Sequence, residues 1–261
     1  MRIPKVQIMK FNICSILKRI YLLSLFLLSV QVFASSIIPL STTLKTSDGI
    51  TVYGLEYKAL NPRAVILLFH QAGSNKSEYS SIAPRLAQEG FTVLAIDQRS
   101  GGSLFGQNND TVKKLGKSYT YLETMPDLEA ALHWGNQKKL PVLVWGSSYS
   151  SSLVFLLARK HPDKIAAVLS FSPGEYLGQE GIVQQAAAKV TQAVFVTSSI
   201  ENQEVEAAKK IISASPSKNK IQFIPKIAGV HGSSTLREDK NSQGFDENWL
   251  AVLTFLKSLH L

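Results

Sequence analysis

From residue 50 onward the chain alternates short apolar runs with amphipathic stretches, and Gly and Pro fall between them. The apolar runs read as strands at Thr51–Lys58, Ala64–Phe69, Thr92–Ile96, Val142–Trp145, Ala166–Phe171, Ala193–Thr197 and Lys220–Ile224. The central runs are continuous in Val, Ile and Leu, as expected of strands covered on both faces, whereas Thr51–Lys58 alternates and is expected at a sheet edge. Helical periodicity fills the gaps at Glu78–Gln88, Met125–Gln137, Tyr149–Arg159, Gln203–Ser213 and Asp246–Ser258. Strands alternating with crossover helices predict an α/β fold, doubly wound around a mostly parallel sheet. Residues 36–46 fit either a flexible lead-in or a first strand.

Composition then limits the function classes. With 261 residues, 45% of them hydrophobic, the chain can bury a sizeable core, which excludes disorder as its main state. The formal charge of +9 is uneven: Arg2, Lys5, Lys10, Lys18 and Arg19 lie in the first 34 residues, which hold no acid, leaving 23 basic against 19 acidic residues. No Lys/Arg run resembles a phosphate-tracking stripe, so nucleic acid is not an expected partner.

Residues 20–34, IYLLSLFLLSVQVFA, form an uncharged apolar run behind Lys18-Arg19 and end in Val32-Phe33-Ala34. A basic start, an apolar stretch of about 14 residues and a small-residue end form a secretory signal pattern too short for a ~30 Å bilayer. The expectation is a signal peptide over 1–34, cleavage near Ala34, a single domain over 35–261, a secreted or periplasmic product and no stable membrane span after cleavage. An uncleaved anchor is the other reading, because the lead from Met1 to Arg19 is long and Met9 is a second candidate start. Cys14 is the only cysteine and lies before the apolar core. The mature chain would therefore have no disulfide, thiol nucleophile or cysteine metal site.

Five segments carry the candidate chemistry. Val142-Leu-Val-Trp-Gly-Ser-Ser-Tyr-Ser-Ser151 runs from an apolar strand through a small-residue turn into a helix. By itself a Ser-rich turn before a helix is commonly an N-cap. Ala64-Val-Ile-Leu-Leu-Phe-His-Gln-Ala-Gly73 is a strand ending in His70 and a small-residue loop. Phe91-Thr-Val-Leu-Ala-Ile-Asp-Gln-Arg-Ser-Gly-Gly102 is a strand followed by an Asp97/Arg99 pair. Thr197-Ser-Ser-Ile-Glu-Asn-Gln203 follows another strand, and Ile227-Ala-Gly-Val-His-Gly-Ser233 places His231 in a glycine-flanked loop. A metal reading of His70 lacks a partner at useful spacing.

In this order and spacing the segments resemble the α/β-hydrolase superfamily, nearest to its dienelactone hydrolase-like and small serine esterase or peptidase branches, over nearly all of Thr51–Leu261. The resemblance implies that Gly146-Ser147-Ser148-Tyr149-Ser150 is the G-x-S-x-G nucleophile elbow, with Ser148 as nucleophile, Ser147 as rival and Ser150 in place of the last glycine. It implies a His-Gly type oxyanion loop, in which the backbone N–H of Ala72 or Gln71 acts with that of Tyr149, and His70 braces the loop. Family order places the acid and then the base after the nucleophile, giving His231 as base and Glu201 as the acid that orients it. Glu204 is the spare, and Glu201 could equally be a charge favouring a helix N-terminus. Asp97 and Arg99 are read as scaffolding.

Only about 20 residues, with one short helix around Ile182–Lys189, separate Ser172 from Gln192, too few for a lid or a large cap. Gln98–Thr120 is the longest irregular excursion and the expected flexible wall of an open site. Its Lys113, Lys114 and Lys117 fit an anionic substrate or simple solvation. The reading as a whole is a secreted, cofactor-independent serine hydrolase acting on a small-molecule or short acyl ester through an acyl-enzyme. A peptidase on the same residues and a non-catalytic binding protein are the alternatives, and the sequence sets no oligomeric state.

Overall fold

The apolar runs pair side by side in a single sheet, and their residues alternate between two cores. The structure is a computed structural model that describes Met1 and residues 37–261; the segment at 20–34 and its expected cleavage point lie outside the described residues. Ile37–Leu261 forms one compact unit. Its elements in chain order are β1 (Leu40–Lys45), β2 (Thr51–Tyr57), β3 (Ala64–Phe69), α1 (Ile82–Gln88), β4 (Phe91–Ile96), α2 (Asp110–Leu115), α3 (Met125–Gln137), β5 (Val142–Ser147), α4 (Tyr149–Lys160), β6 (Ala167–Phe171), α5 (Ile182–Ala187), β7 (Ala193–Thr197), α6 (Asn202–Ala214), β8 (Lys220–Phe223) and α7 (Phe245–Ser258).

The strand order is β1-β2-β4-β3-β5-β6-β7-β8. β3 to β8 are parallel, and β1 and β2 join as antiparallel neighbours. Period-2 alternation sends Val65, Leu67 and Phe69 of β3 into one core, with Leu128 of α3, Leu153 of α4, Val183 of α5 and Ile211 of α6. Ala64, Ile66 and Leu68 enter the other, with Leu86 of α1 and Trp249 and Phe255 of α7. Each large apolar side chain buried in this way contributes ~1.5–3 kcal/mol, which makes the two-layer cover the main source of stability.

Three expectations change. The residues 36–46 contain a strand, β1, so β2 is not at the edge: it pairs on both sides, with β1 and with β4. The helix expected from Glu78 starts at Ile82, and Lys76–Tyr79 is a separate 3-10 turn capped by the Asn75 side chain, which accepts the Ser77 N–H at 2.9 Å. The excursion Gln98–Thr120 contains α2, whose N-cap Asn109 accepts the Val112 N–H at 2.9 Å and whose C-cap Gly116 takes a left-handed φ of 71°. Between β6 and β7 there is only α5, and among the described residues no large cap covers the carboxyl ends of the strands.

Candidate active site

β5 lies between β3 and β6 in the middle of the sheet, and its carboxyl end delivers Ser148. Ser148 has φ 56° and ψ −124°, a conformation that costs a side-chain-bearing residue on the order of 1–3 kcal/mol. The turn is held there by the Ser148 N–H donating to Phe171 O at 2.8 Å and the Ser151 N–H donating to Ser148 O at 2.9 Å. Gly146 is obligatory, because a Cβ on it would stand 2.2 Å from Ser150 O. Ser150, where a glycine is usual, is fully buried: its hydroxyl donates to His70 O at 2.6 Å and accepts from Gln98 Nε2 at 2.9 Å. Ser147 points away from Ser148 chemistry, accepting the Ser233 N–H at 2.8 Å on a fully buried hydroxyl.

His231 reaches Ser148 from the loop after β8. Its Nε2 stands 2.8 Å from Ser148 Oγ and its Nδ1 2.7 Å from Glu204 Oε1. With a carboxylate on Nδ1, the ring carries its proton there and accepts the Ser148 hydroxyl proton on Nε2. Gly232, with φ 67°, lets the loop pass close behind the elbow, since a Cβ on it would lie 2.5 Å from Ser147 Oγ.

The carboxylate is therefore not Glu201. Glu201 is the exposed N-cap of α6, with extended backbone (φ −67°, ψ 126°) and no side-chain cap bond. Glu204, one turn later, is in the helix proper and turns back toward the sheet, where it also accepts the Ser199 N–H at 3.0 Å. The three-residue error has a physical cause: the chain leaving β7 spends Ser198–Glu201 outside any element before α6 begins. A Glu at the third helical position, free to reach back to an exposed N–H in the manner of a capping box, was the available signal. Burial raises the Glu204 pKa, but hydrogen bonds from His231, Ser172 and the Ser199 N–H outweigh it and hold the carboxyl at about 2. Ser172, which no motif pointed to, joins both partners: its buried hydroxyl faces Glu204 and accepts the Gly232 N–H at 2.9 Å from a backbone at φ 56°.

On the other side of Ser148, the loop after β3 is fixed by His70, whose Nδ1 lies 2.8 Å from Gln71 O and whose Nε2 accepts the Gln98 N–H at 3.0 Å. Burial pulls its pKa down to about 4, so the ring is neutral and acts as a brace. The Gln71 N–H donates to Glu78 Oε2 at 2.8 Å and is already engaged. The N–H groups of Ala72 and Tyr149 have no acceptor among the described residues. Asp97 and Arg99 sit below the surface as scaffolding: Asp97 accepts from Lys76 and from the Asp110 N–H, and Arg99 is paired with Asp127 and Asp48.

A cavity of about 520 Å³ lies between residues 120–122 and 176–178. Tyr121 on one wall stacks on Tyr149, the residue after Ser148, at 4.2 Å between ring centroids. Tyr176 on the other wall lies close enough to Glu204 for its charge to add to burial in pushing the phenol pKa up to about 12. The described lining residues, Thr120, Tyr121, Leu122, Tyr176, Leu177 and Gly178, are uncharged. Among the described residues no three His, Cys, Asp or Glu side chains are grouped to hold a metal ion, and no helix is long and apolar enough to cross a membrane.

The hydrolase family described as serine aminopeptidase, S33, matches residues 60–228. A monoacylglycerol lipase of Mycolicibacterium smegmatis is 25% identical over 161 residues, covering 61% of this chain and 55% of the lipase; the chain thus spans about half the length of that relative. Among solved structures, monoglyceride lipase of Saccharomyces cerevisiae superimposes with a TM-score of 0.68 at 14% identity, over 88% of this chain and 98% of its own. An esterase of Pyrococcus furiosus gives 0.64 at 18% identity, over 85% and 93%. A dienelactone hydrolase of Anabaena variabilis gives 0.64 at 14%, over 86% and 98%. These likenesses are to the α/β-hydrolase fold.

Proposed function

Because the chain belongs to the serine aminopeptidase (S33) family of hydrolases, we propose that it is a serine hydrolase that cleaves a small uncharged ester through Ser148, His231 and Glu204. The observation that carries this reading is His231 standing between Ser148 Oγ at 2.8 Å and Glu204 Oε1 at 2.7 Å. Ser148 Oγ attacks the ester carbonyl carbon while His231 Nε2 takes its proton. The Glu204 carboxylate stabilises the imidazolium and fixes its tautomer. The carbonyl oxygen becomes an oxyanion between the Tyr149 and Ala72 N–H groups, which have no other acceptor among the described residues. On collapse the alcohol leaves with the proton from His231. Water, deprotonated by the same ring, then attacks the acyl-enzyme and frees the carboxylic acid.

The uncharged, tyrosine-flanked cavity supports an ester over a peptide, since its described lining offers no carboxylate for a free amino terminus. The ester reading also fits the monoacylglycerol lipase and esterase likenesses. A fluorophosphonate probe tests the assignment. Wild type is expected to label and to hydrolyse a short aryl ester, and Ser148→Ala to lose both while remaining folded. Labelling retained in Ser148→Ala and lost in Ser147→Ala would move the nucleophile by one residue.

Export is part of the same proposal and rests on the basic-then-apolar pattern at 18–34. The expected product in an expressing bacterium is a periplasmic or secreted chain starting near Ser35, and intact mass measures it. A mass corresponding to a start at Met1 or Met9 would replace the signal peptide with an anchor.

A further inference from the structure

Behind the oxyanion loop lies a carboxyl group that the hydrolytic residues do not use. Glu78, in the 3-10 turn Lys76–Tyr79, is fully buried. Its Oε2 accepts the Gln71 N–H at 2.8 Å, while Oε1 has no hydrogen-bond partner among the described residues. The Ser74 hydroxyl of the oxyanion loop and the Ser147 hydroxyl of β5, one residue before the nucleophile, lie beside the carboxyl. Among the described residues no cation forms an ion pair with it. Lys76 of the same turn is paired with Asp97 and Asp110. The guanidinium of Arg237, past His231, is directed instead at the carbonyls of Ser77 and Glu78 (3.2 and 2.9 Å) and at Asp239. Tyr79, the remaining neighbour on the turn, gives its hydroxyl to Phe69 O at 2.6 Å.

A buried carboxylate with one unpaired oxygen and no cation is far costlier than the corresponding neutral acid. Protonation removes the buried charge and makes Oε1 a donor as well as an acceptor, whereas the ionised form has only neutral hydroxyls beside it. We propose that Glu78 works as a neutral carboxylic acid and is the positioning residue of the oxyanion loop, holding the Gln71 N–H so that Ala72 supplies the loop's donor to the oxyanion. Burial also raises the Glu78 pKa to about 7, against smaller opposing effects of Ser147, Gln71, Ser74 and Arg237. The catalytic part of this inference rests on Ser148 being the nucleophile.

The test compares Glu78→Gln with Glu78→Met in steady-state hydrolysis of a short aryl ester, alongside amide hydrogen exchange at Gln71. Glutamine keeps an acceptor for the Gln71 N–H and an N–H donor where the acid carries its proton; methionine fills the volume and offers neither. The oxyanion contact is made in the transition state, so Glu78→Met is expected to lower kcat by about 10- to 100-fold with KM within about twofold. Glu78→Gln is expected to keep at least about a third of wild-type kcat, and Gln71 exchange to speed up only in the methionine variant. A purely structural role would lower stability without that split. If the methionine variant does not fold, Glu78→Asp, one methylene short of Gln71, takes its place with the same expected split.

Wild-type kcat in the non-accepting variant, a change confined to KM, or equal losses with glutamine and methionine would overturn the inference. Failure of wild type to label at Ser148 would sink the proposed hydrolase and the catalytic part of this inference together. Gln71 exchange would still decide whether Glu78 holds the loop.

Discussion

Two glutamates flank the Ser148 turn, and their surroundings drive them in opposite directions. Glu204 is half-buried at the start of α6 and receives His231, the Ser172 hydroxyl and the Ser199 N–H, which hold it ionised down to about pH 2. Glu78 is fully buried, receives one N–H and has no ion-pair partner among the described residues, and burial lifts it to about 7. The same side chain thus offers a charge to the histidine on one side and, below about pH 7, a neutral hydrogen-bonding group on the other. The number of donors within reach and access to water decide between them.

The largest break in this comparison comes from removing the charge that is needed. Glu204→Gln is expected to lower kcat/KM by about 10³- to 10⁴-fold, because an amide cannot stabilise the imidazolium and can hold the wrong tautomer. Glu201→Gln is expected to change it less than about twofold. Steady-state kinetics on a short aryl ester, with circular dichroism as the fold control, measures both; loss of activity in Glu201→Gln alone would reverse the assignment.

The next effect concerns stability against pH, where the two groups slope in opposite senses. A carboxyl with a depressed folded pKa stabilises above its unfolded value of 4.5, and that contribution is lost as pH falls toward 2, which is the Glu204 case. Glu78 has a raised folded pKa: the native state holds its proton longer than the unfolded chain, so its ionisation destabilises the fold progressively from pH 4.5 and in full above about 7. The shift from 4.5 to about 7 corresponds to about 3 kcal/mol across that window. Urea unfolding at pH 5, 6, 7 and 8 is expected to give a declining stability in wild type and a flatter profile in Glu78→Gln. Parallel profiles would mean that Glu78 is not the titrating group.

A smaller effect sharpens the Glu204 side. Ser172→Ala removes a donor from Glu204 and an acceptor from the Gly232 N–H without touching Ser148 or His231 directly. One hydrogen bond to a charged group is worth ~1.5–3 kcal/mol. A fall in kcat of about tenfold is therefore expected, and NMR titration should show the Glu204 carboxyl protonating at higher pH than in wild type. An unchanged Glu204 titration would detach Ser172 from the acid.

How much of this was legible in the sequence follows from how local each cause is. β3, β4, β5 and β7 were readable because burial on both faces leaves continuous apolar runs, as in Ala64–Phe69, all buried. β1, Leu-Ser-Thr-Thr-Leu-Lys, remained ambiguous because it pairs only with β2 and keeps most of its side chains exposed or half-exposed. The strand-to-helix turn at Ser148 was legible because its steric demands fall on the immediate neighbours Gly146 and Ser150. Glu204 was misread as Glu201 because the exit from β7 is longer before its helix starts, a length fixed by tertiary packing. Gln71 and Ala72 could not be separated because the acceptor that engages the Gln71 N–H is Glu78, seven residues on, in a 3-10 turn hidden inside an expected helix. α2 escaped notice within a polar stretch, although Asn109 and Gly116 marked its two ends.

The hydroxyl of Ser150 has a consequence for how the protein comes apart. A glycine at that position would leave the elbow helix, the end of β3 and the segment after β4 without this common tie; the serine bonds to His70 O on one and to the Gln98 amide on another. Gln98 in turn reaches the Tyr149 hydroxyl at 2.8 Å. Fraying any one of these three segments exposes polar groups whose partners lie in the other two, so this end of the sheet is expected to open as one cooperative unit in native-state hydrogen exchange. Heat inactivation is then expected to coincide with global unfolding, as residual activity read against circular dichroism would show, because the three segments are tied through one hydroxyl.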